Sequence, residues 1–338
     1  MRLHPQSTPV DLPPQFQCAR KIGPVICVPM DITGELVETV AHEGQAEPIN
    51  ATLDHWAQDM GTQISKGRGF VCLRIHDGGY TNDELRRVYA AIARSLGSLN
   101  HRYGEFFDVK DRGLDHKTHA VPVSKTRAST GFHTDSSAVN YCPAAVGLLC
   151  LQPAHSGGES LLADAEALHD SLAAHHPKAL SVLTQPIYRD VITPGTQRDC
   201  NAIRQNAFPV FSRTENRVHF RYMRFWIETA YQKLGEPLPT GLRQAMNLID
   251  SYLLDPANTL TRILSRGEML FVNNRRMCHS RTAFIDLSTQ SQKRTLVRTW
   301  IDQLHQPTQP GALNEPSTTE VTSTPPSGRL GFDPALAS

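Results

Sequence analysis

The sequence predicts a mainly β fold: a double-sheet β core with helical additions. Short runs rich in Val, Ile, Leu and Phe outnumber helical patterns. Strands and helices alternate in no regular βαβ rhythm, which argues against a parallel sheet wrapped by helices. No Gly-x-Gly-x-x-Gly or Walker-type loop is present, which lowers the expectation of nicotinamide or nucleotide chemistry.

In chain order, strands are expected at 69–75, 145–151, 217–223, 268–273 and 294–301, most of them too short for helices and rich in Val, Ile, Leu and Phe. Thr81-Asn-Asp-Glu84 is a capping box, and Leu85, Val88, Tyr89, Ile92 and Leu96 follow at helical spacing up to Gly97. A second helix is expected from Thr240 as its cap, with Leu242, Met246, Ile249 and Leu253 on one face and an end before Pro256. Shorter helices are expected at 164–174 and 225–234, and His175 and His176, ahead of Pro177, read as a helix end. There is no internal repeat. Residues 1–305 read as a single catalytic domain with helical insertions, and 306–338, rich in Pro, Ser, Thr and Gly, as an irregular tail.

The 34 basic and 33 acidic residues leave a formal charge of +1, so no long-range field draws in nucleic acid or an anionic membrane. No run approaches the roughly 20 apolar residues of a membrane span. The N-terminus, with Pro5, Pro9, Pro13 and Pro14, has no apolar block of a secretory signal. Seven cysteines, an odd number without a Cys-x-x-Cys pair, read as reduced thiols. The expectation is a cytoplasmic protein with a small-molecule partner; oligomeric state is not encoded legibly.

The chemistry concentrates in two segments. In Gly131-Phe-His133-Thr-Asp135-Ser-Ser137, an extended chain aims residues i and i+2 at one side, so an imidazole and a carboxylate share a target. Alone, that pair reads by default as an exposed polar pair, with a metal site as the lesser alternative. The second segment, 267–284, is a strand and turn followed by His279. Fourteen residues separate His279 from Arg294, which opens a strand whose alternation puts Arg294, Leu296, Arg298 and Trp300 on one face. Two guanidiniums on one face of a central strand require anions. These are either structural carboxylates or carboxylates of a ligand, which guanidinium binds bidentately. Two histidines and one carboxylate leave open positions on a metal, suiting a ferrous ion that accepts a bidentate oxoacid and dioxygen. They suit a zinc hydrolase as well.

His133-x-Asp135, His279 and Arg294-x-x-x-Arg298 resemble the taurine dioxygenase and clavaminate synthase-like (TauD/TfdA) superfamily. Asn273-Asn274-Arg275 ahead of His279, Arg281-Thr-Ala-Phe284 after it, and Gly157-Gly158-Glu159-Ser160 resemble its supporting motifs. The resemblance implies a double-stranded β-helix, a distorted, cupin-like jelly roll. It implies Fe(II) held by His133, Asp135 and His279, and 2-oxoglutarate held by Arg294 with support from Ser160. Arg298 would lie near the substrate, and O2 would be the co-substrate. An intact Asp135 favours hydroxylation over halogenation, with desaturation and oxidative cyclisation sharing the same ligands. The substrate class expected is a small polar or amino-acid-like molecule, with natural-product biosynthesis as one setting. A non-catalytic metabolite-binding protein on the same triad is a further alternative.

Among other residues, Ser136 and Ser137 are placed beside the substrate space. His116 and His119 read as surface residues, and His219 as facing either pocket or solvent. Arg221 and Arg224 read as structurally paired, with contact to the substrate as the alternative. The irregular stretch 99–130 reads as a lid, and 190–216 as a specificity loop.

Overall fold

A computed structural model describes residues 30–32, 47–75, 79–102, 104–113, 126–191, 197–214, 217–287, 289 and 293–305. The expected tail at 306–338, His116, His119, Cys18, Cys27 and the middle of the 99–130 stretch lie outside the described residues.

The strands of the two main sheets are β1 (Met30–Ile32), β2 (Phe70–Ile75), β3 (Gly97–Leu99), β4 (Phe107–Val109), β5 (Thr130–His133), β6 (Ala145–Gln152), β7 (Ser160–Asp164), β8 (Thr259–Arg262), β9 (Glu268–Asn273), β10 (Met277–Arg281) and β11 (Thr295–Leu304). The helices are α1 (Glu47–Ser65), α2 (Asn82–Leu96), α3 (Ala165–His175), α4 (Pro177–Leu183), α5 (Cys200–Gln205), α6 (Arg224–Leu234) and α7 (Thr240–Leu254). A seven-stranded sheet runs β1-β2-β9-β6-β11-β3, with β4 also on β11; a four-stranded sheet runs β8-β7-β10-β5. Apart from the parallel β1–β2 pair, the ladders are antiparallel. The expected mainly β fold with helices is therefore what the chain adopts.

Period-two alternation gives the large sheet two buried faces. Val71, Leu73, Leu149, Met269 and Phe271 pack outward on Met60, Ile64, Val88, Tyr89 and Ile92 of α1 and α2. Phe70, Cys72, Cys150, Leu270, Val272 and Leu296 point the other way, toward Leu162 and Met277 of the small sheet. Gly147 belongs to this packing: a Cβ there would stand 2.6 Å from the Tyr89 hydroxyl and 2.7 Å from Phe271 Cε1. Tyr89 and Phe271 stack with centroids 5.6 Å apart, so the helix layer closes onto β6 only because the strand lacks a side chain at 147.

A third core joins α3, α4, α6 and α7 to Val210, Phe211, Val218, Phe220 and Tyr222. This insertion lies between β7 and β8 in sequence and packs beside the small sheet through Ala163 and Cys278.

Local signals translate directly at several ends. Thr81 makes both halves of the capping box, and Asp164 caps α3 through the Glu166 amide. His175 ends α3, and Pro177 opens α4 at a first-turn position that needs no amide hydrogen. Other expectations are corrected. Pro239, not Thr240, occupies the cap of α7, with no side-chain cap bond. The strand expected at 217–223 pairs only over Arg217–Phe220, in a hairpin with Phe211–Thr214, before Met223 bridges to His133. The 190–216 stretch contains α5 and two short strands.

Candidate metal and co-substrate site

β5 and β10 are neighbours, and their register sets His133 directly opposite His279. The imidazole centroids are 4.5 Å apart. Beyond β5, Thr134 N–H donates to Tyr222 O at 3.0 Å, and Tyr222 N–H donates to Thr134 Oγ1 at 3.2 Å, fixing the strand end. The next residue, Asp135, is gripped by the fully buried Asn274. The Asp135 amide donates to Asn274 Oδ1 at 2.7 Å, and Asn274 Nδ2 donates to Asp135 O at 3.0 Å. The chain then turns through Ser136 at φ 62°, a left-handed conformation uncommon for a residue with a Cβ.

The Asp135 carboxylate divides its two oxygens. Oδ1 lies 3.3 Å from His279 Nε2 and 3.5 Å from His133 Nε2. Oδ2 accepts from Trp300 Nε1 at 2.6 Å and from Arg298 Nη1 at 3.1 Å. Burial alone would raise the Asp135 carboxyl. The Arg298 guanidinium and hydrogen bonds with the two histidines outweigh it and hold the group well below the usual carboxylate range. His279 is lowered by burial and by neighbouring His133, against the pull of Asp135. An ionised carboxylate and a neutral imidazole are the protonation states a metal requires.

One donor atom from each of His133, Asp135 and His279 lies within 4.8 Å of the others. The donor set fits a borderline divalent ion, with imidazole nitrogen and carboxylate oxygen on one side and open space on the other.

That space is a cavity between the two sheets, with an empty volume of about 680 Å³ counting its mouth. The large sheet supplies Val146, Leu148, Leu270, Val272 and Leu296; the small sheet supplies Ser160 and Leu162. Three guanidiniums line it, those of Arg281, Arg294 and Arg298. Arg294 is 4% exposed, and its Nη1 has no hydrogen-bond partner; the same holds for Arg298 Nε and Nη2. Unpartnered buried guanidinium N–H groups facing a cavity call for an anion. Arg281 Nη2 donates to Thr126 O at 3.0 Å and to Ala128 O, tying the approach to β5 onto β10. The Arg281 and Arg294 guanidiniums stand 4.8 Å and 5.1 Å from the Phe284 ring centroid.

Most sequence-predicted site residues therefore converge: His133, Asp135, His279, Ser160, Arg294 and Arg298 all line this cavity. Ser137 does not. It is 3% exposed and lies outside the cavity lining, because the turn at Ser136 carries the chain away from the metal face. His219 bonds Thr214 Oγ1 at 2.8 Å on the hairpin, away from the cavity. Arg221 donates to Val139 O and to Tyr141 O at 3.2 Å, while Arg224 pairs with Asp250 and Glu228, both at 2.7 Å. Sequence reasoning gave no site role to Asn274 or Trp300. The alternation that put Trp300 on the Arg298 face was the available signal; Asn274 had none beyond its motif.

Residues 34–300 match the protein family described as "Taurine catabolism dioxygenase TauD, TfdA family". The chain belongs to the TauD/TfdA family. It is a 2-oxoglutarate-dependent non-haem iron dioxygenase, using Fe(II), 2-oxoglutarate and O2. The hydrolase and non-catalytic alternatives fall away with that membership.

Among curated relatives, the chain is 27% identical over 251 residues to the FR-33289 synthase of Streptomyces rubellomurinus, covering 71% of this chain and 70% of the relative. It is 28% identical over 242 residues to a uridine-5'-phosphate dioxygenase of an Amycolatopsis species, covering 69% and 85%. Two solved structures share the fold. An asparagine oxygenase in complex with Fe(II), 3-hydroxyasparagine and succinate has a TM-score of 0.57 at 16% identity, covering 80% of this chain and 92% of that one. The non-haem iron oxygenase OrfP, with Fe and α-ketoglutaric acid, has a TM-score of 0.58 at 15% identity, covering 81% and 94%. No described helix is long and apolar enough to cross a membrane.

Proposed function

We propose that this protein hydroxylates an unactivated C–H bond of a small polar or amino-acid-like molecule, with His133, Asp135 and His279 as iron ligands. The observation that carries the reading is the convergence of His133 Nε2, His279 Nε2 and Asp135 Oδ1 at a cavity that Arg294 also lines, with its buried Nη1 unpartnered. Iron, 2-oxoglutarate and dioxygen supply the oxidising chemistry, with succinate and carbon dioxide as co-products. The chain's residues do the rest. Arg294 binds the distal carboxylate of 2-oxoglutarate, and Ser160, on the facing sheet, donates a hydrogen bond to it. The apolar walls built by Val146, Leu148, Leu270 and Leu296 exclude water and orient the substrate. Arg298 keeps Asp135 ionised with Nη1, and its remaining N–H groups offer a site for an anionic group of the substrate.

The same reading takes the two sheets as a double-stranded β-helix, residues 1–305 as one catalytic domain and the cytoplasm as its location. Relatives named as a synthase and a nucleotide dioxygenase support a metabolite rather than a macromolecule as substrate.

The test is succinate formation from 2-oxoglutarate, Fe(II) and O2 across a panel of amino acids, phosphonates and nucleotides. Substrate-stimulated succinate, lost under anaerobiosis and in His279→Ala, is the expected result. A protein that neither binds 2-oxoglutarate nor forms succinate with any member would overturn the reading. A product lighter by two hydrogens rather than heavier by one oxygen would assign desaturation or cyclisation instead.

A further inference from the structure

The Asp135 carboxylate carries more neighbours than a metal ligand needs. Its Oδ2 is saturated on the side away from the histidines by the indole N–H of Trp300 at 2.6 Å and Arg298 Nη1 at 3.1 Å. Only Oδ1 faces the two Nε2 atoms. Trp300 is 4% exposed, with Phe107 edge-on at 6.3 Å and Tyr141 also at 6.3 Å between centroids, so the indole has little freedom to leave that oxygen. An indole N–H is a donor only, with no acceptor state that would let it turn away.

From this arrangement we infer that Trp300 is a positioning residue that makes Asp135 a one-oxygen ligand. A free carboxylate beside a divalent cation can chelate through both oxygens. Chelation would use one more coordination position, taken from the side where a bidentate oxoacid and dioxygen must both fit. The Trp300 hydrogen bond, charge-assisted on the acceptor side, opposes rotation of Oδ2 toward the metal. Arg298 alone does not supply this. It also lines the cavity, where an incoming anion would compete for its N–H groups. The inference rests on the assignment of Asp135 as a ligand, and the experiment separates the two.

Co(II) is titrated into metal-free wild type, Trp300→Phe and Asp135→Ala, and affinity and the visible d–d bands are recorded. Trp300→Phe keeps a ring in the slot and removes only the donor. Loss of a partner of this kind lowers metal affinity by about 10–100-fold. We expect a loss in that range, with altered d–d bands and weaker 2-oxoglutarate binding to the Co(II) form. Unchanged affinity and bands in Trp300→Phe, with binding abolished in Asp135→Ala, would overturn the inference while sparing the ligand assignment. Unchanged binding in Asp135→Ala would overturn the assignment itself. Should Trp300→Phe not fold, the wild type carries a second reading. With 15N-labelled tryptophan, the indole proton of Trp300 is to stay downfield and protected from exchange when Zn(II) is added. An upfield shift with fast exchange on metal binding would mean that Oδ2 has left the indole for the metal, which the inference forbids.

Discussion

Gly158 lies directly against Arg294: a Cβ built on Gly158 would stand 3.1 Å from Arg294 Nε and 3.4 Å from its Cδ. Gly158 is also left-handed, at φ 77°. The backbone at Gly158 is therefore a wall against the Arg294 guanidinium, to which the proposed function gives the distal carboxylate of 2-oxoglutarate. Gly158→Ala costs about 1–2 kcal/mol in backbone strain and displaces Arg294 by a few tenths of an ångström. The expected outcome is a several-fold higher KM for 2-oxoglutarate with kcat little changed, the pattern of lost uniform binding. Steady-state kinetics at saturating substrate checks it, and an unchanged KM would show that the contact is incidental.

Asn274 sits between β9 and β10 and holds the main chain of Asp135 from both sides, besides donating to Pro143 O at 3.3 Å. Asn274→Ala leaves these buried groups without partners, at about 1–3 kcal/mol for each. Urea denaturation of the metal-free protein should show the loss. Metal affinity should fall with it, since Asp135 loses its main-chain anchor. Asn274→Asp should not rescue either quantity, because a carboxylate oxygen would then face the Asp135 carbonyl oxygen.

The contrast between these two sites and the metal triad shows what a sequence can carry. His133, Asp135 and His279 were legible because their spacing and flanking text are family-like, and Arg294 and Arg298 because strand alternation is periodic. The Thr81 capping box was legible because it is a contact between residues three apart. Asn274 reaches Asp135 across 139 positions and Trp300 reaches it across 165, so no local pattern encodes either contact. α1 has no such signal for a different reason: Thr52, Asp54, Asp59, Gly61 and Thr62 crowd its sequence, and among its described side chains Ala57, Met60 and Ile64 are the ones in the buried core. β1 and β5 span three and four residues, too few for alternation to register. Ser137 is expected beside the substrate space from its nearness to Asp135 in the chain, but the turn at Ser136 takes it out of the cavity lining.

Arg298→Met should make stability depend on pH in a defined direction. In the wild type the Asp135 carboxyl is depressed, so its contribution is present above the unfolded value of about 3.9 and is lost as pH falls through the folded value. Removing the guanidinium leaves burial as the main influence, and the carboxyl rises. The variant's deficit, about 3–5 kcal/mol at most for a broken buried pair, should be greatest near neutral pH. It should narrow as pH falls from the variant's raised folded value towards the wild type's depressed one, the window in which the variant's carboxyl is protonated and the wild type's is not. Denaturation of the metal-free proteins across this range checks it; a deficit that stays constant with pH would assign the loss to packing against Phe107 instead.

The helical insertion provides a control on how far stability and site geometry are coupled. Lys233 Nζ pairs with Asp190 Oδ2 at 2.8 Å, with side chains 6% and 1% exposed. Lys233→Met removes the ammonium partner of a buried carboxylate and should cost up to about 3–5 kcal/mol. Adding Asp190→Asn should recover part of that, since the buried negative charge is then gone. The insertion reaches the site through Asn206 Nδ2, which donates to Ala138 O at 2.6 Å, and through the bridge of Met223 to His133. Asp135, however, is oriented by Asn274 and Trp300 from the strand scaffold rather than from the insertion. Lys233→Met should therefore lower the urea midpoint while leaving Co(II) affinity within about twofold of wild type, as for sites without shared partners. A parallel fall in both would mean that the insertion, and not the two sheets, sets the geometry of the metal ligands.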